Sequence, residues 1–205
     1  LTLRAPLMEA QIPETYLLAT VGFQSLVATK ASRLVESGGG RAVVEFGTRR
    51  AHSPEAGVLA ARASYIGGCI GTSNTLAGYK YGIPVFGTAA HSWVQAFPTE
   101  AEAFKRLQDL LGAGTVYLID TYDTLEGARR AAETGGEFWG VRLDSGNLAE
   151  LSRSVRKILD DAGYPGAKIM ATGDLNEHKI LEFVAGGAPI DVFGVGTELV
   201  ISSDA

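Results

Sequence analysis

Seven short apolar runs recur along the chain: "RAVVEFG" (41–47), "CIGT" (69–72), "IPVFG" (83–87), "TVYLID" (115–120), "EFWGVRLD" (137–144), "AKIMATGD" (167–174) and "IDVFGVG" (190–196). Stretches of helical periodicity separate most of them, at 53–68, 74–82, 99–111, 124–134, 147–162 and 175–185. Strand and helix alternating this often predict a parallel α/β sheet. The runs are apolar without strict alternation, so the strands are expected to be buried on both faces. An open doubly wound sheet and an irregular or incomplete (β/α) barrel both fit, and the barrel is the expected architecture.

Local signals agree with this reading. Ser53-Pro54-Glu55 supplies an N-cap, a first-turn proline and a first-turn acid for the helix that follows. Residues 147–162 carry Leu148, Leu151, Val155, Ile158 and Leu159, a single stripe at helical spacing. Residues 14–37 read as a long helix stopped by Gly38-Gly39-Gly40, so 1–40 is expected to be a helical lead-in and 41–205 one α/β barrel domain. The chain opens on Leu1 rather than Met and closes on "VISSDA" soon after an apolar run, so it is expected to be a C-terminally truncated piece of a longer protein.

Composition narrows the function classes. A net charge of −5 does not suit a nucleic-acid or anionic-membrane surface, although it leaves room for a local basic pocket. One cysteine, Cys69, rules out an internal disulfide framework and fits a reducing, cytoplasmic setting. No apolar run reaches the ~18 residues that a membrane span needs.

What ends each run carries the functional signal. In order, the ends are "EFGTRR", "GTSN", "GTAAHS", "DTYD", "RLDSG", "TGDLN" and "GVGTE". Parallel α/β folds gather the carboxyl ends of their strands on one face, so these clusters should meet at one rim. Turn chemistry alone accounts for the glycines and for Ser73, Asn74, Thr121 and Asn147. It accounts less well for Arg49, Arg50, His91, Asp120, Arg142, Asp144 and Asp174, which load charge onto that rim. Glycine turns at 171–174 and 194–197 leave backbone N–H groups open to a phosphate, arginines read phosphate or carboxylate through paired donors, and carboxylates accept from sugar hydroxyls. The rim is suited to a phosphorylated sugar. Taken alone, His91 is more readily a structural histidine than a nucleophile. Arg49 and Arg50 would point to opposite faces if they continue a strand, which favours Arg49 for the site.

Taken together and in order, "EFGTRRAHSPEAG", "GTSNTLAG", "GTAAHSWVQAF", "DTYDT", "RLDSGNL", "TGDLNE" and "FGVGTEL" resemble nicotinate phosphoribosyltransferases from about residue 14 onward. The resemblance implies a type II phosphoribosyltransferase-like incomplete barrel. It also implies a reaction in which nicotinate attacks C1 of 5-phosphoribosyl-1-pyrophosphate to give nicotinate mononucleotide and pyrophosphate, the first step of NAD salvage from nicotinate. ATP hydrolysis would be coupled through a phosphohistidine, with Mg²⁺ accompanying ATP and pyrophosphate.

Residue roles follow from the same resemblance. His91, at the end of the third strand, would take the γ-phosphoryl group, with Asp120 orienting its imidazole. Phe46 would stack on the pyridine ring. Arg49 would face nicotinate or phosphates, and Arg142 the carboxylate or a nearby phosphate. Asp144, with Ser145 beside it, would hold the ribose. Gly173, Asp174, Gly194, Gly196 and Thr197 would line the 5′-phosphate cradle. No protein-held metal site is expected.

The nearest competing activity is that of the nicotinamide-using relatives, which place a carboxylate near the position of Asn74. Neutral Ser73 and Asn74 suit an anionic ring substituent better. The resemblance further implies a homodimer with shared active sites, the ring pocket being closed by an aromatic residue from the N-terminal part of the neighbouring subunit. A piece without that residue would be a poor enzyme, or a phosphoribosyl- or nucleotide-binding module without turnover.

Overall fold

The computed structural model describes residues 2–202; the last three residues of the expected barrel domain, 203–205, lie outside the described residues. The first element is a 31-residue helix, α1 (Leu7–Ser37). It begins seven residues earlier than the sequence pattern suggests and runs through Pro13, which removes one backbone donor without ending the helix. Its buried residues are Val27, Lys30, Ala31 and Leu34, an i, i+3, i+4, i+7 set confined to its C-terminal half.

The rest alternates as expected: β1 (Ala42–Glu45), α2 (Pro54–Ile66), β2 (Gly71–Thr72), α3 (Thr75–Tyr81), α4 (His91–Gln95), α5 (Glu100–Leu111), β3 (Val116–Leu118), α6 (Thr124–Thr134), β4 (Gly140–Leu143), α7 (Leu148–Asp161), β5 (Lys168–Ala171), α8 (Glu177–Ala185), β6 (Val192–Val195) and α9 (Thr197–Ile201). Ser53 caps α2 as its sequence predicts, its Oγ accepting the Ala56 N–H at 3.0 Å.

Among the described residues six strands form one all-parallel sheet in the order β2-β1-β6-β5-β4-β3. That order is a cyclic permutation of the chain order, broken only between β2 and β3. The last strand pairs with the first, so consecutive right-handed crossovers keep the helices on one side and the sheet curls on itself. This is the incomplete α/β barrel, with one open seam.

The third run departs from expectation. "IPVFG" makes a single parallel bridge, Val85 to Thr72, instead of a strand. Pro84 has no N–H to give a ladder, and the segment then leaves the sheet. It forms the margin of the seam facing β3.

Strand alternation divides the core into two layers. Val43, Val141, Leu143, Ile169, Ala171 and Phe193 face the helices in the main hydrophobic cluster. Val44, Met170 and Val192 face inward, joined by Ala42, Phe46, Phe86 and Trp139. Arg142 lies between the outward-facing Val141 and Leu143, so the period of two turns it inward. The inner cluster is small because the upper part of the barrel is given over to a polar cavity.

Candidate active site

That cavity holds about 670 Å³ and opens at the carboxyl ends of the strands. Its wall includes Phe46, Arg49, Ser73, His91, Arg142, Asp144, Gly173, Asp174, Gly194, Gly196 and Thr197 from the candidate rim. Arg142 is the hub. Its Nη2 donates to Asp144 Oδ1 at 2.7 Å, its Nε to Thr172 Oγ1 at 2.8 Å, and its Nη1 to Thr88 Oγ1 at 2.7 Å. The last bond crosses the open seam. Thr172 also donates its hydroxyl to Asp144 Oδ1. Burial pushes the Asp144 carboxyl up, but the Thr172 hydroxyl, the Arg142 guanidinium and nearby His91 outweigh it, and the group is held below the usual carboxylate value.

His91 opens α4 instead of ending a strand, a direct result of the lost third strand. Its Nε2 lies 3.6 Å from Asp144 Oδ2 and its Nδ1 lies 3.1 Å from Thr121 Oγ1. Thr121, and not Asp120, therefore orients the imidazole. The Asp120 Oδ2 instead accepts from the Asp144 N–H at 2.8 Å and from Ser145 Oγ at 2.6 Å, which fixes the turn after β4. Asp120 and Ser145 are absent from the cavity wall.

Asn74 also departs from its expected place. It is 7% exposed, its Oδ1 caps α3 through the Ala77 N–H at 2.8 Å, and its Nδ2 donates to Thr48 Oγ1 at 3.1 Å. Ser73 is left as the wall residue of that pair. Arg49 and Arg50 both line the cavity, because Thr48–Arg50 is a 3₁₀ turn and the alternation of a strand does not apply.

Two glycines shape the cradle side. Gly173 has φ +95°, and a Cβ there would stand 2.1 Å from the Asp144 carbonyl oxygen. At Gly194 a Cβ would meet Thr172 Cγ2 at 2.6 Å and the Phe46 ring at 2.8 Å. Both positions exclude a side chain so that neighbouring strand ends can close on the pocket.

The sequence reading set Arg50 aside in favour of Arg49, and it missed the roles of Thr88, Thr121, Thr172 and Glu45. The threonines carry no charge and look like ordinary turn residues. Glu45 did give a signal: a carboxylate inside "AVVEF" must find buried partners.

The fold and the wall define a barrel-type α/β protein whose strand ends converge on a polar pocket that three arginines, Arg49, Arg50 and Arg142, help to line. The pattern described as the Nicotinate phosphoribosyltransferase (NAPRTase) family matches residues 42–204, and the chain belongs to that family. It is 49% identical over 207 residues to nicotinate phosphoribosyltransferase pncB2 of Mycobacterium tuberculosis, covering 98% of this chain and 44% of that protein. It is likewise 49% identical over 207 residues to the nicotinate phosphoribosyltransferase of Bacillus subtilis, covering 98% and 42%. The crystal structure of human nicotinic acid phosphoribosyltransferase superposes with a TM-score of 0.83 at 28% identity, covering 94% of this chain and 51% of that one. The chain thus spans less than half the length of these curated relatives.

Proposed function

We propose that this chain carries the catalytic barrel of a nicotinate phosphoribosyltransferase. The pyridine nitrogen of nicotinate bonds to C1 of 5-phosphoribosyl-1-pyrophosphate as the C1–oxygen bond to pyrophosphate breaks. One observation carries the reading: Arg142 and Asp144 at the end of β4 and His91 at the start of α4 meet in one strand-end cavity beside a glycine-lined wall. Asp144 is kept anionic to accept from ribose hydroxyls, and Arg142, Arg49 and Arg50 supply cationic forks for phosphate and carboxylate. The barrel positions both reactants and stabilises the charge that develops as the glycosidic bond loosens.

The ring subsite favours nicotinate over nicotinamide. Two arginines and Ser73 line it, and Asn74 is turned away into the protein. His91 is the residue to take a phosphoryl group from ATP, its imidazole nitrogen bonding to phosphorus as ADP leaves. Magnesium enters with the substrates. Among the described residues no group of three or more His, Cys, Asp or Glu side chains could hold an ion. Asp144 is taken up by Arg142 and Thr172, which leaves Asp174 as the other wall carboxylate toward a diphosphate-borne ion. In the whole protein the site is one of a pair shared across a homodimer, a part of the proposal that rests on the family resemblance alone.

The test uses the full-length protein with [γ-³²P]ATP, nicotinate and 5-phosphoribosyl-1-pyrophosphate. Nucleotide formation and an acid-labile protein label are expected, the label disappearing in His91→Ala. Undiminished label in that variant overturns the role of His91, and no nucleotide from the unaltered protein overturns the activity. Replacing Arg49 and Arg50 together by Gln should cut the preference for nicotinate over nicotinamide by about tenfold or more, the worth of a charge-assisted contact, read from kcat/KM for each ring.

A further inference from the structure

Glu45 is the last residue of β1, fully buried, and directly opposite Thr72 at the end of β2. Its two carboxylate oxygens serve two different loops. Oε1 accepts the N–H of Gly47, which opens the loop carrying Phe46, Arg49 and Arg50. Oε2 accepts the hydroxyl of Thr72, which precedes the loop carrying Ser73 and Thr75. The Thr72 Oγ1 in turn accepts the Asn74 N–H at 2.9 Å, and Asn74 Nδ2 returns to Thr48 Oγ1 at 3.1 Å. The bonds close a ring from Glu45 through Gly47 and Thr48 to Asn74, Thr72 and back. Every member but Thr48 and Asn74 hangs directly on the one carboxylate.

We propose that Glu45 and Thr72 are positioning residues that lock the β1 and β2 loops to each other, and so set the spacing between Arg49/Arg50 and Ser73 that grips the acid-bearing ring; the substrate clause rests on the functional reading above. Three features support it. Both the Gly47 N–H and the Thr72 hydroxyl donate to Glu45; a glutamine can keep only one of these acceptors, and its N–H would have to be received by Thr72 Oγ1, which already accepts from the Asn74 N–H. Burying a carboxylate is unfavourable, and a shorter apolar residue would fill the same strand-end volume if only packing were needed. The joined loops also supply five wall residues at one end of the cavity, Phe46, Arg49, Arg50, Ser73 and Thr75, while the cradle glycines come from other strands.

The test measures hydrogen–deuterium exchange in the full-length protein without substrates, on peptides covering 45–51 and 72–78, and then kinetics. Thr72→Val changes the residue that leads into the second loop, yet it is expected to speed exchange in the first by about tenfold, the scale of one buried hydrogen bond. Glu45→Gln is expected to speed both loops, and Thr72→Ser, which keeps the hydroxyl, to restore both. In turnover, Thr72→Val should raise KM for nicotinate by about tenfold with KM for 5-phosphoribosyl-1-pyrophosphate within about twofold of the parent. Exchange confined to the substituted loop overturns the proposal, as does an equal rise in both KM values with a lowered melting temperature. An unaltered protein that makes no nucleotide overturns the functional reading alone, and the exchange result still decides whether the loops are coupled.

Discussion

At the scale of single residues, ionisation state follows from surroundings. Asp144 has its folded-state pKa held below the ordinary 3.8 by Thr172, Arg142 and His91 against the opposing effect of burial. Its contribution to stability is therefore complete above that ordinary value and lost as pH falls through the lower folded one. Asp144→Asn should cost about 1–3 kcal/mol at neutral pH, and the gap to the parent should shrink in denaturant melts taken below pH 3.8. Cys69 shows the opposite case. Burial, aided by the neighbouring Glu45 charge, pushes its thiol up to about 12. At pH 8 the folded protein should leave a chromogenic disulfide reagent unreacted and consume one equivalent once unfolded. Labelling at the rate of a free thiol in the folded state would contradict the buried position.

At the scale of elements, docking and close approach dominate. Lys30 on α1 and Glu177 at the start of α8 form a buried ion pair at 2.8 Å. Breaking this pair, as in Lys30→Met, should cost about 1–3 kcal/mol, the scale of a lost charge-assisted hydrogen bond, and urea melts of the variant and the parent measure it. Gly194→Ala should push Phe46 off its place, raising KM for the ring substrate and lowering stability by about 1–3 kcal/mol.

Much of this level was legible in the sequence. Ser53, Asn74 and Asn147 stand where caps are needed, and each caps its helix. The stripe in 147–162 appears as buried Leu148, Val155 and Leu159 with Leu151 and Ile158 at its edges. The third strand was not legible, because an apolar pentapeptide with proline at its second position looks the same whether or not a ladder receives it. The imidazole's partner was equally hidden: Asp120 and Thr121 are neighbours in "DTYD", and only the path of the seam margin decides which one His91 meets. Arg142 meets Thr172 across 30 residues and Thr88 across 54, a distance over which local pattern says nothing.

At the scale of the whole molecule, the N-terminal half of α1 stands apart from the barrel core. Leu7, Met8, Ile12 and Tyr16 are between 73% and 81% exposed, a continuous apolar surface of the kind that drives association. The 205-residue chain as it stands should self-associate in light scattering. Met8→Glu with Ile12→Glu should suppress this while moving the melting temperature little, since exposed substitutions seldom exceed about 0.5 kcal/mol. Persistent association would place the sticky surface elsewhere.

The gap between β2 and β3 has one more effect. A fully hooped barrel would keep its shape without help, whereas here the two lips are tied at the top by the Arg142–Thr88 and His91–Thr121 contacts. A molecule seated in the mouth and touching both lips would act as a buckle, so occupancy and mechanical tightness of the cylinder should rise together.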